Sequence, residues 1–251
     1  MSVKRCSGQP NFDLDEMAGA QGYQRWMLKA VLPYLGSRVL ELGAGLGNLS
    51  RILPVGQRLI LTEPDPRFLS RLESGARQWF GRDRRVCVAR FDPSRDPWQR
   101  FARENLDTVV SFNVLEHIRD DGKVLEAMKR LLRSSRARGP KRLVTLVPAH
   151  AWAFGSLDQA NGHFRRYDRS SFRALAMGHA PEARLRFRSF NFVGLLGWWF
   201  AGRILRRPRV DTATVDYYER LLPFIRTGDE LLTRVLRLPL GQSLIAVLEW
   251  D

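Results

Sequence analysis

The sequence predicts an α/β fold built on a mainly parallel sheet, and three observations support this prediction. Short, continuous apolar runs alternate with stretches whose apolar residues recur at helical spacing. The runs lack the in–out alternation of a half-exposed strand, so we expect helices to cover both faces of the sheet. A glycine-rich turn directly follows the first run, as in sheets that bind ligands at the carboxyl ends of their strands.

Five strands are expected in the first part of the chain. In order they lie in SRVLELGAG, QRLILTEPDP, RRVCVARFDP, LDTVVSFNVLEH and KRLVTLVPAH. Helices are expected at RFLSRLESGARQWF and DDGKVLEAMKRLLRSS, and a leading helix within residues 10–35. In DDGKVLEAMKRLLRSS, acidic residues near the start and arginines near the end complement the helix dipole.

The C-terminal part is less regular. ARLRFRSFNF alternates apolar and basic residues, which is typical of a strand near a sheet edge, and QSLIAVLEWD is the last strand. Residues 194–241 between them predict a helical insertion. No internal repeat or linker divides the chain, so we expect one domain spanning residues 1–251.

Composition sets limits on function. With 251 residues and 44% hydrophobic content, the chain can bury a proper core. The net charge of +15 permits nucleic acid, a membrane surface or an anionic substrate as partner, although a solvated basic surface is the commoner reason. Cys6 and Cys87 form neither a disulfide framework nor a metal cluster. With no segment resembling a signal peptide, a cytoplasmic location is expected.

The glycine turn carries the strongest chemical signal. Gly43, Gly45 and Gly47 follow the first strand and allow the backbone to turn sharply and approach a ligand. A helix beginning near Gly47 would add backbone N–H groups at its positive end. The dinucleotide pattern G-x-G-x-x-G fails, because Asn48 occupies its last position.

Gly-x-Gly-x-Gly preceded by Glu41 resembles the first motif of class I methyltransferases that use S-adenosylmethionine (SAM). The resemblance implies a Rossmann-like, seven-stranded, mostly parallel sheet whose last strand is antiparallel. It also implies that Glu41 helps to hold the methionyl end of SAM. S-adenosylhomocysteine would be the product.

Three further strand ends carry motifs of the same family. Glu63 follows Glu41 by 22 residues (63 − 41), where a carboxylate can accept the ribose hydroxyls. The resemblance implies that Asp92 binds the adenine amino group while Phe91 packs on the ring. The full set of implied cofactor residues is Glu41, Gly43, Ala44, Gly45, Gly47, Asn48, Glu63, Pro64, Phe91, Asp92, Asn113, Val114 and His117.

NVLEHI resembles the segment after the fourth strand in quinone-biosynthetic O-methyltransferases. Some of those bind a divalent metal through two glutamates three residues apart and a neighbouring histidine. Here Asn113 stands at the first position, which leaves only Glu116 beside His117, a poor site for a hard cation. The sequence therefore predicts no metal, and Glu116 can equally serve as a charge at a helix start.

Three absences narrow the acceptor. No D/N-P-P-Y/F tetrapeptide follows the fourth strand, which disfavours methylation at the amino groups of bases. No cysteine stands at a strand end as a nucleophile for C5 methylation. No RNA-binding module is recognisable, so nucleic acid is disfavoured as partner.

A base for the acceptor proton is expected among His117, His150 and His163. His163 lies in GHFRRYD, which resembles the Gly-His-x-Arg-Arg-Tyr motif of a bacterial methyltransferase subgroup after the fifth strand. Arg165 and Arg166 could hold an anionic group of the acceptor, and Tyr167 could bond to it or cover it. Alternatively, the arginines pair with Asp158 or Asp168 and Tyr167 packs on the sheet.

The stretch GLLGWWFAGRILRRPR leaves three interpretations open. Trp198 and its apolar neighbours could line an acceptor pocket as part of a substrate lid. They could lie on a membrane with Arg203, Arg206, Arg207 and Arg209 near the headgroups. They could also be buried against the sheet or in a dimer.

The sequence thus predicts a SAM-dependent methyltransferase for a hydrophobic small molecule or a lipid or glycolipid intermediate, acting at oxygen. The acceptor is expected to be amphipathic or anionic, and the protein to be a monomer or homodimer, cytoplasmic, with peripheral membrane contact as one option. The alternatives are RNA or protein methylation, and a SAM-fold binding protein without catalysis. A dinucleotide oxidoreductase is disfavoured by Asn48.

Overall fold

A computed structural model describes residues 14–15, 17–207, 209–235 and 238–251, and its centre is a seven-stranded sheet. The strands are β1 (Arg38–Leu42), β2 (Arg58–Glu63), β3 (Val86–Arg90), β4 (Thr108–Phe112), β5 (Lys141–Pro148), β6 (Arg184–Phe190) and β7 (Ser243–Trp250). Their order across the sheet is β3-β2-β1-β4-β5-β7-β6. Cys6 lies outside the described residues.

Only β7 runs against its neighbours. It pairs antiparallel with β5 and with β6, whereas the pairs among β1 to β5 are parallel. β6 forms the edge, and its arginines alternate with more buried residues as the sequence predicts. The expected mostly parallel sheet with an antiparallel last strand is confirmed.

Seven α-helices surround the sheet in the described part of the chain. They are α1 (Gln21–Val31), α2 (Pro66–Phe80), α3 (Asp121–Arg133), α4 (Ser156–Ala160), α5 (Arg169–His179), α6 (Phe192–Trp199) and α7 (Thr212–Asp229). The leading helix is therefore shorter than the predicted range 10–35, of which residues 10–13 and 16 are outside the described part. Short 3₁₀ turns at Met17–Gly19 and Leu32–Tyr34 flank α1.

The core has two halves, one on each face of the sheet. One half contains Leu125 of α3 and Phe172 of α5, both fully buried. The other contains Trp26 of α1, Leu72 of α2 and Leu222 of α7. Helices therefore cover both faces, as the continuous apolar strands require.

The helix expected to begin near Gly47 is absent, and this prediction was wrong. The chain forms a single 3₁₀ turn at Ser50–Ile52 instead. Pro54 explains the difference, because proline disfavours the helical conformation of the residue before it. Leu53 is indeed extended, with φ −64° and ψ 138°. The turn therefore lacks the dipole of a full helix.

The insertion before β7 is helical, as expected, and begins two residues before the predicted 194. α6 continues as a π-helix at Phe200–Ile204, and α7 continues as a π-helix at Glu230–Val235. Glu219 of α7 accepts hydrogen bonds from the backbone N–H groups of Gly22 and Tyr23, both at 2.8 Å, and so caps α1. Within the described residues, no helix is long and apolar enough to cross a membrane.

Candidate active site

The predicted cofactor motifs converge at the carboxyl edge of the sheet. β1 lies between β2 and β4, so the strand order reverses direction at β1. Ligands of open parallel sheets bind in the crevice at such a switch point. The ends of β1, β2, β3 and β4 carry the four motifs that the sequence singles out.

The glycine turn requires glycine for both conformation and space. Gly43, Gly45 and Gly47 have φ values of +68°, +58° and +80°. A Cβ on Gly43 would lie 2.7 Å from Cγ2 of Val114, and a Cβ on Gly47 would collide with the Trp79 ring. The turn thus packs tightly against the end of β4 and against α2.

Two buried carboxylates stand beside this turn. Glu63 accepts hydrogen bonds from Gly45 N (2.8 Å) and Asp65 N (3.0 Å), and burial raises its pKa. Glu41 accepts a hydrogen bond from Ser50 Oγ at 2.6 Å. Burial, followed by the charge of Glu63, raises the pKa of Glu41 to about 7, although the Ser50 bond opposes the shift.

The segment before α1 covers the turn. Leu14 side-chain atoms lie 3.4–3.5 Å from the position of a Cβ on Gly45, and Asn48 Nδ2 donates to Leu14 O at 2.8 Å. Ala44 N donates to Thr62 O at 2.8 Å, which joins the turn to β2. Asn48, which breaks the dinucleotide pattern, therefore holds the leading segment over the candidate cofactor site.

Phe91 does not reach the crevice, so the predicted contact of its ring with adenine was wrong. Its side chain is fully buried, with ring centroids 4.8 Å from Trp98 and 5.0 Å from Phe101. Asp92 is half-buried at the same strand end, with its N–H bonded to Asp96. Pro64, half-buried, follows β2.

The chain turns away from β4 at Asn113, which adopts a left-handed φ of +53°. Its N–H donates to Leu146 O at 2.8 Å, and its side chain is exposed. The next residues form a 3₁₀ turn at Leu115–His117. This turn directs Val114 to the glycine turn and places Glu116 and His117 beside the loop after β5.

His163 is held by a buried carboxylate. Its Nδ1 lies 2.9 Å from Oδ1 of Asp158, which is fully buried, and its backbone N–H donates to Asp158 O. Burial opposes the ionised form of Asp158, but hydrogen bonding to His163 and the charge of Arg166 lower its pKa. With Nδ1 as the donor to Asp158, Nε2 of His163 is left as the acceptor.

The two arginines of the motif are engaged in internal pairs. Arg166 is 5% exposed, and its Nε donates to Asp158 Oδ1 at 2.8 Å. Arg165 donates to Arg119 O and lies 2.8 Å from Asp121 Oδ2. The prediction that Arg166 holds an anionic group of the acceptor was therefore wrong, because its buried guanidinium neutralises Asp158.

Tyr167 is also structural. It is 3% exposed, and its hydroxyl donates to Asp121 Oδ2 at 2.7 Å. Its predicted contact with the acceptor was wrong, because its hydroxyl is committed to Asp121 and its ring packs on Phe172 in the core. Its pKa is raised, first by burial and then by Asp121.

Glu116, His117 and His163 form a cluster that the sequence did not reveal. One ligand atom from each lies within 4.8 Å of the others, and the two imidazole rings meet edge to face at 4.7 Å. Glu116 is fully buried, and neither carboxylate oxygen has a hydrogen-bond partner outside its own residue. Burial raises the pKa of Glu116 to about 8. The pKa of His117, whose ring remains partly exposed, is lowered by desolvation and by His163.

This donor set fits a divalent transition ion better than a hard cation, because it combines two imidazoles with one carboxylate. The sequence argument against a metal considered only Glu116 and His117. The structure adds His163 as a third donor and shows that the carboxylate lacks another partner.

His150 and Trp198 occupy different surroundings. His150 accepts a hydrogen bond from Gly241 N at 3.3 Å and stacks on Trp152, outside the Glu116 cluster. Trp198 Nε1 donates to Asp158 Oδ2 at 3.2 Å. The insertion is therefore tied to the same carboxylate that holds His163.

The sequence offered Asp158 only as a partner of the arginines, which is confirmed for Arg166, and did not predict its bonds to His163 and Trp198. It bonds to the backbone of Gly155 and to the side chains of His163, Arg166 and Trp198. A weak signal was present, since Asp158 precedes His163 by five residues in the same loop. Its partner Trp198 is forty residues away, at a separation that no local pattern predicts.

Comparisons with known proteins agree with this geometry. Residues 40–135 match the sequence model of the family described as "Methyltransferase domain". That range runs from β1 to just beyond α3 and includes all four cofactor motifs. No curated protein matches the chain significantly.

Solved structures share the fold at low identity. An S-adenosylmethionine-dependent methyltransferase from Mesorhizobium loti has a TM-score of 0.59 at 13% identity, covering 92% of this chain and 100% of that chain. A SAM-dependent methyltransferase from Archaeoglobus fulgidus has a TM-score of 0.55 at 16% identity, covering 96% of this chain and 100% of that chain. The methyltransferase domain of bacterial CtHen1 has a TM-score of 0.55 at 15% identity, covering 92% of this chain and 100% of that chain.

The sheet has a Rossmann-like architecture, which these solved methyltransferases share. The methyltransferase-domain match at residues 40–135 covers the part of this sheet from β1 to β4 where the predicted SAM motifs lie.

Proposed function

We propose that the protein methylates an oxygen of a hydrophobic small molecule or a lipid-type biosynthetic intermediate. The observation that carries this proposal is the pairing of His163 with the buried Asp158 next to the end of β4. An imidazole whose Nδ1–H is fixed by a carboxylate presents Nε2 as a proton acceptor.

SAM bound at this edge would supply the methyl group to the acceptor oxygen, and its carbon–sulfur bond would break to leave S-adenosylhomocysteine. The acceptor hydroxyl loses its proton to Nε2 of His163. Asp158 stabilises the imidazolium that forms, while Arg166 balances the charge of Asp158. Methyl transfer from a sulfonium mainly requires alignment of acceptor, methyl and sulfur, which falls to the glycine turn and the loop after β5.

The cofactor contacts belong to this proposal. Glu63 would take the ribose hydroxyls, Asp92 the adenine amino group, and Glu41 would stand near the methionyl end. Asn113 and Val114 follow β4 at the glycine turn, where the methyl-bearing part of SAM would lie. The insertion at residues 194–241 would serve as the acceptor lid, since Trp198 joins it to Asp158.

Glu116, His117 and His163 would together hold any transition ion that the enzyme uses. Such an ion would lower the pKa of an acceptor hydroxyl bound to it. Our proposal assigns deprotonation to His163 alone, and elemental analysis of the purified enzyme checks this assignment. A stoichiometric transition ion that dialysis against a chelator removes together with activity would contradict it.

Transfer of tritiated methyl groups from SAM to separate lipid, small-molecule, RNA and protein fractions tests the acceptor class. We expect label in the organic-extractable fraction, and label confined to RNA or protein would overturn the proposal. His163→Ala should reduce turnover by about 10²-fold or more while leaving the Kd for SAM unchanged. His179→Ala is the matched control and should turn over like wild type, because His179 ends α5 and packs against Gly122 of α3, outside the cluster with Glu116 and His117.

A further inference from the structure

The insertion carries two stripes of exposed apolar side chains. The first stripe consists of Val193, Leu196, Phe200 and Ile204, which are 38%, 50%, 51% and 52% exposed. The second consists of Tyr217, Leu221, Phe224 and Leu231, at 65%, 37%, 77% and 54%. In both stripes the residues recur mainly at three- and four-residue spacing, so each lies along one side of its helix.

These stripes are not needed to hold the fold together. The inner side of α7 already packs into the core through Val215, Leu222 and Ile225. α6 is buried through Leu195, which is 1% exposed. Exposed apolar surface of this extent on adjacent helices marks an interaction site more often than an accident of composition.

Arginines accompany both stripes. Arg203, Arg206 and Arg207 are exposed at the end of the first stripe, and Arg220 and Arg226 are exposed along the second. Nearby acids are partly engaged elsewhere: Glu219 caps α1, and Asp229 is buried and accepts from Phe192 N. Asp211 caps α7 and lies 3.8 Å from Arg207. Asp216 is also exposed and Glu230 is half-buried. The five exposed arginines still outnumber the exposed acids Asp211 and Asp216, so the exposed surface of the insertion is apolar with a mainly basic surround.

We infer that this surface, residues 193–207 and 209–231, docks on an anionic lipid membrane. The apolar stripes would enter the boundary between headgroups and acyl chains while the arginines contact lipid phosphates. A second copy of the chain is a poorer occupant, because a symmetric contact would bring the same arginines together. No described helix crosses a membrane, so the contact would be peripheral.

Docking would place the acceptor loop close to the lipid. The Ser156 hydroxyl at the start of α4 lies within hydrogen-bond distance of Gly202 O (3.0 Å) and Arg207 O (2.5 Å) in the insertion, and Trp198 donates to Asp158. The inference concerns the surface alone, so it does not depend on the proposed acceptor. A protein that methylates a soluble acceptor could still bind vesicles.

Co-sedimentation with vesicles tests the inference, comparing pure phosphatidylcholine with a mixture containing phosphatidylglycerol. We expect binding to the anionic vesicles that weakens as salt is raised. Leu196→Ser with Phe224→Ser should reduce partitioning about tenfold or more, whereas Met177→Ser, on an exposed residue of α5, should not. Arg206→Gln and Arg220→Gln should each reduce partitioning about fivefold. Arg138→Gln, at an exposed arginine between α3 and β5, is their control and should partition like wild type.

Two results would overturn the inference. One is equal partitioning of wild type and the Leu196/Phe224 variant with anionic vesicles. The other is a homodimer in light scattering that the same double variant converts to monomer, which would make the surface an interface between copies. Because the substituted side chains are exposed, thermal unfolding of the variants should match wild type and show that they remain folded.

Discussion

The edge that carries the cofactor motifs and the loop after β5 are built in different ways. The cofactor edge depends on backbone conformation: three left-handed glycines follow β1, Glu63 ends β2, and Asp92 follows β3. The loop after β5 depends on side-chain pairs around Asp158, which joins His163 and Arg166 of its own loop to Trp198 of the insertion. Backbone turns leave a local signature in sequence, whereas pairs across the chain do not.

Asp158→Ala tests the most interdependent part of this comparison. It would leave the buried guanidinium of Arg166 without its carboxylate, and breaking a buried pair costs about 3–5 kcal/mol. Chemical denaturation should show this loss of unfolding free energy. Asp83→Asn, which removes an exposed pair with Arg85, should leave the unfolding curve nearly unchanged. Equal, small effects of both substitutions would contradict the proposed role of Asp158.

Glu41→Gln examines a buried acid on the cofactor side. Because the native pKa is raised to about 7, the folded protein binds more protons than the unfolded chain between pH 4.5 and 7. Stability therefore falls as pH rises through that window, by about 3 kcal/mol from this group. The free energy of unfolding, measured from pH 4 to 8, should therefore lack this decrease in Glu41→Gln. If the unfolding free energy of the variant falls with pH as steeply as that of wild type, the titrating group is not Glu41.

Gly47→Ala sharpens the glycine-turn side of the comparison. Alanine would suffer both the left-handed φ of +80° and collision with Trp79 and Leu72, at a cost of about 1–3 kcal/mol. Gly139→Ala is the matched control, since Gly139 has φ +82° with no atom within 4 Å of a Cβ. The difference between their melting curves isolates the contacts with Trp79 and Leu72, and no difference would contradict tight packing there.

The same contrast explains how far the sequence could be interpreted. Sheet type and the convergence of the motifs followed from apolar runs and from residues at strand ends. The helix near Gly47 was wrong because Pro54 prevents it locally. The prediction that Phe91 packs on adenine was wrong, because a strand pattern alone cannot tell whether an aromatic ring faces the crevice or packs on Trp98. The cluster of Glu116, His117 and His163 depends on the loop after β5 returning to the end of β4, which no spacing revealed.

Calorimetric titration of SAM into wild type and Glu63→Ala tests the central claim most directly, namely that the carboxyl edge of β1 to β4 binds the cofactor. We predict binding by wild type and a Kd at least about tenfold weaker in the variant, since a lost charge-assisted hydrogen bond costs about 1.5–3 kcal/mol. Glu73→Ala on α2 should bind like wild type. An unchanged Kd in Glu63→Ala, or no binding by wild type, would contradict the account.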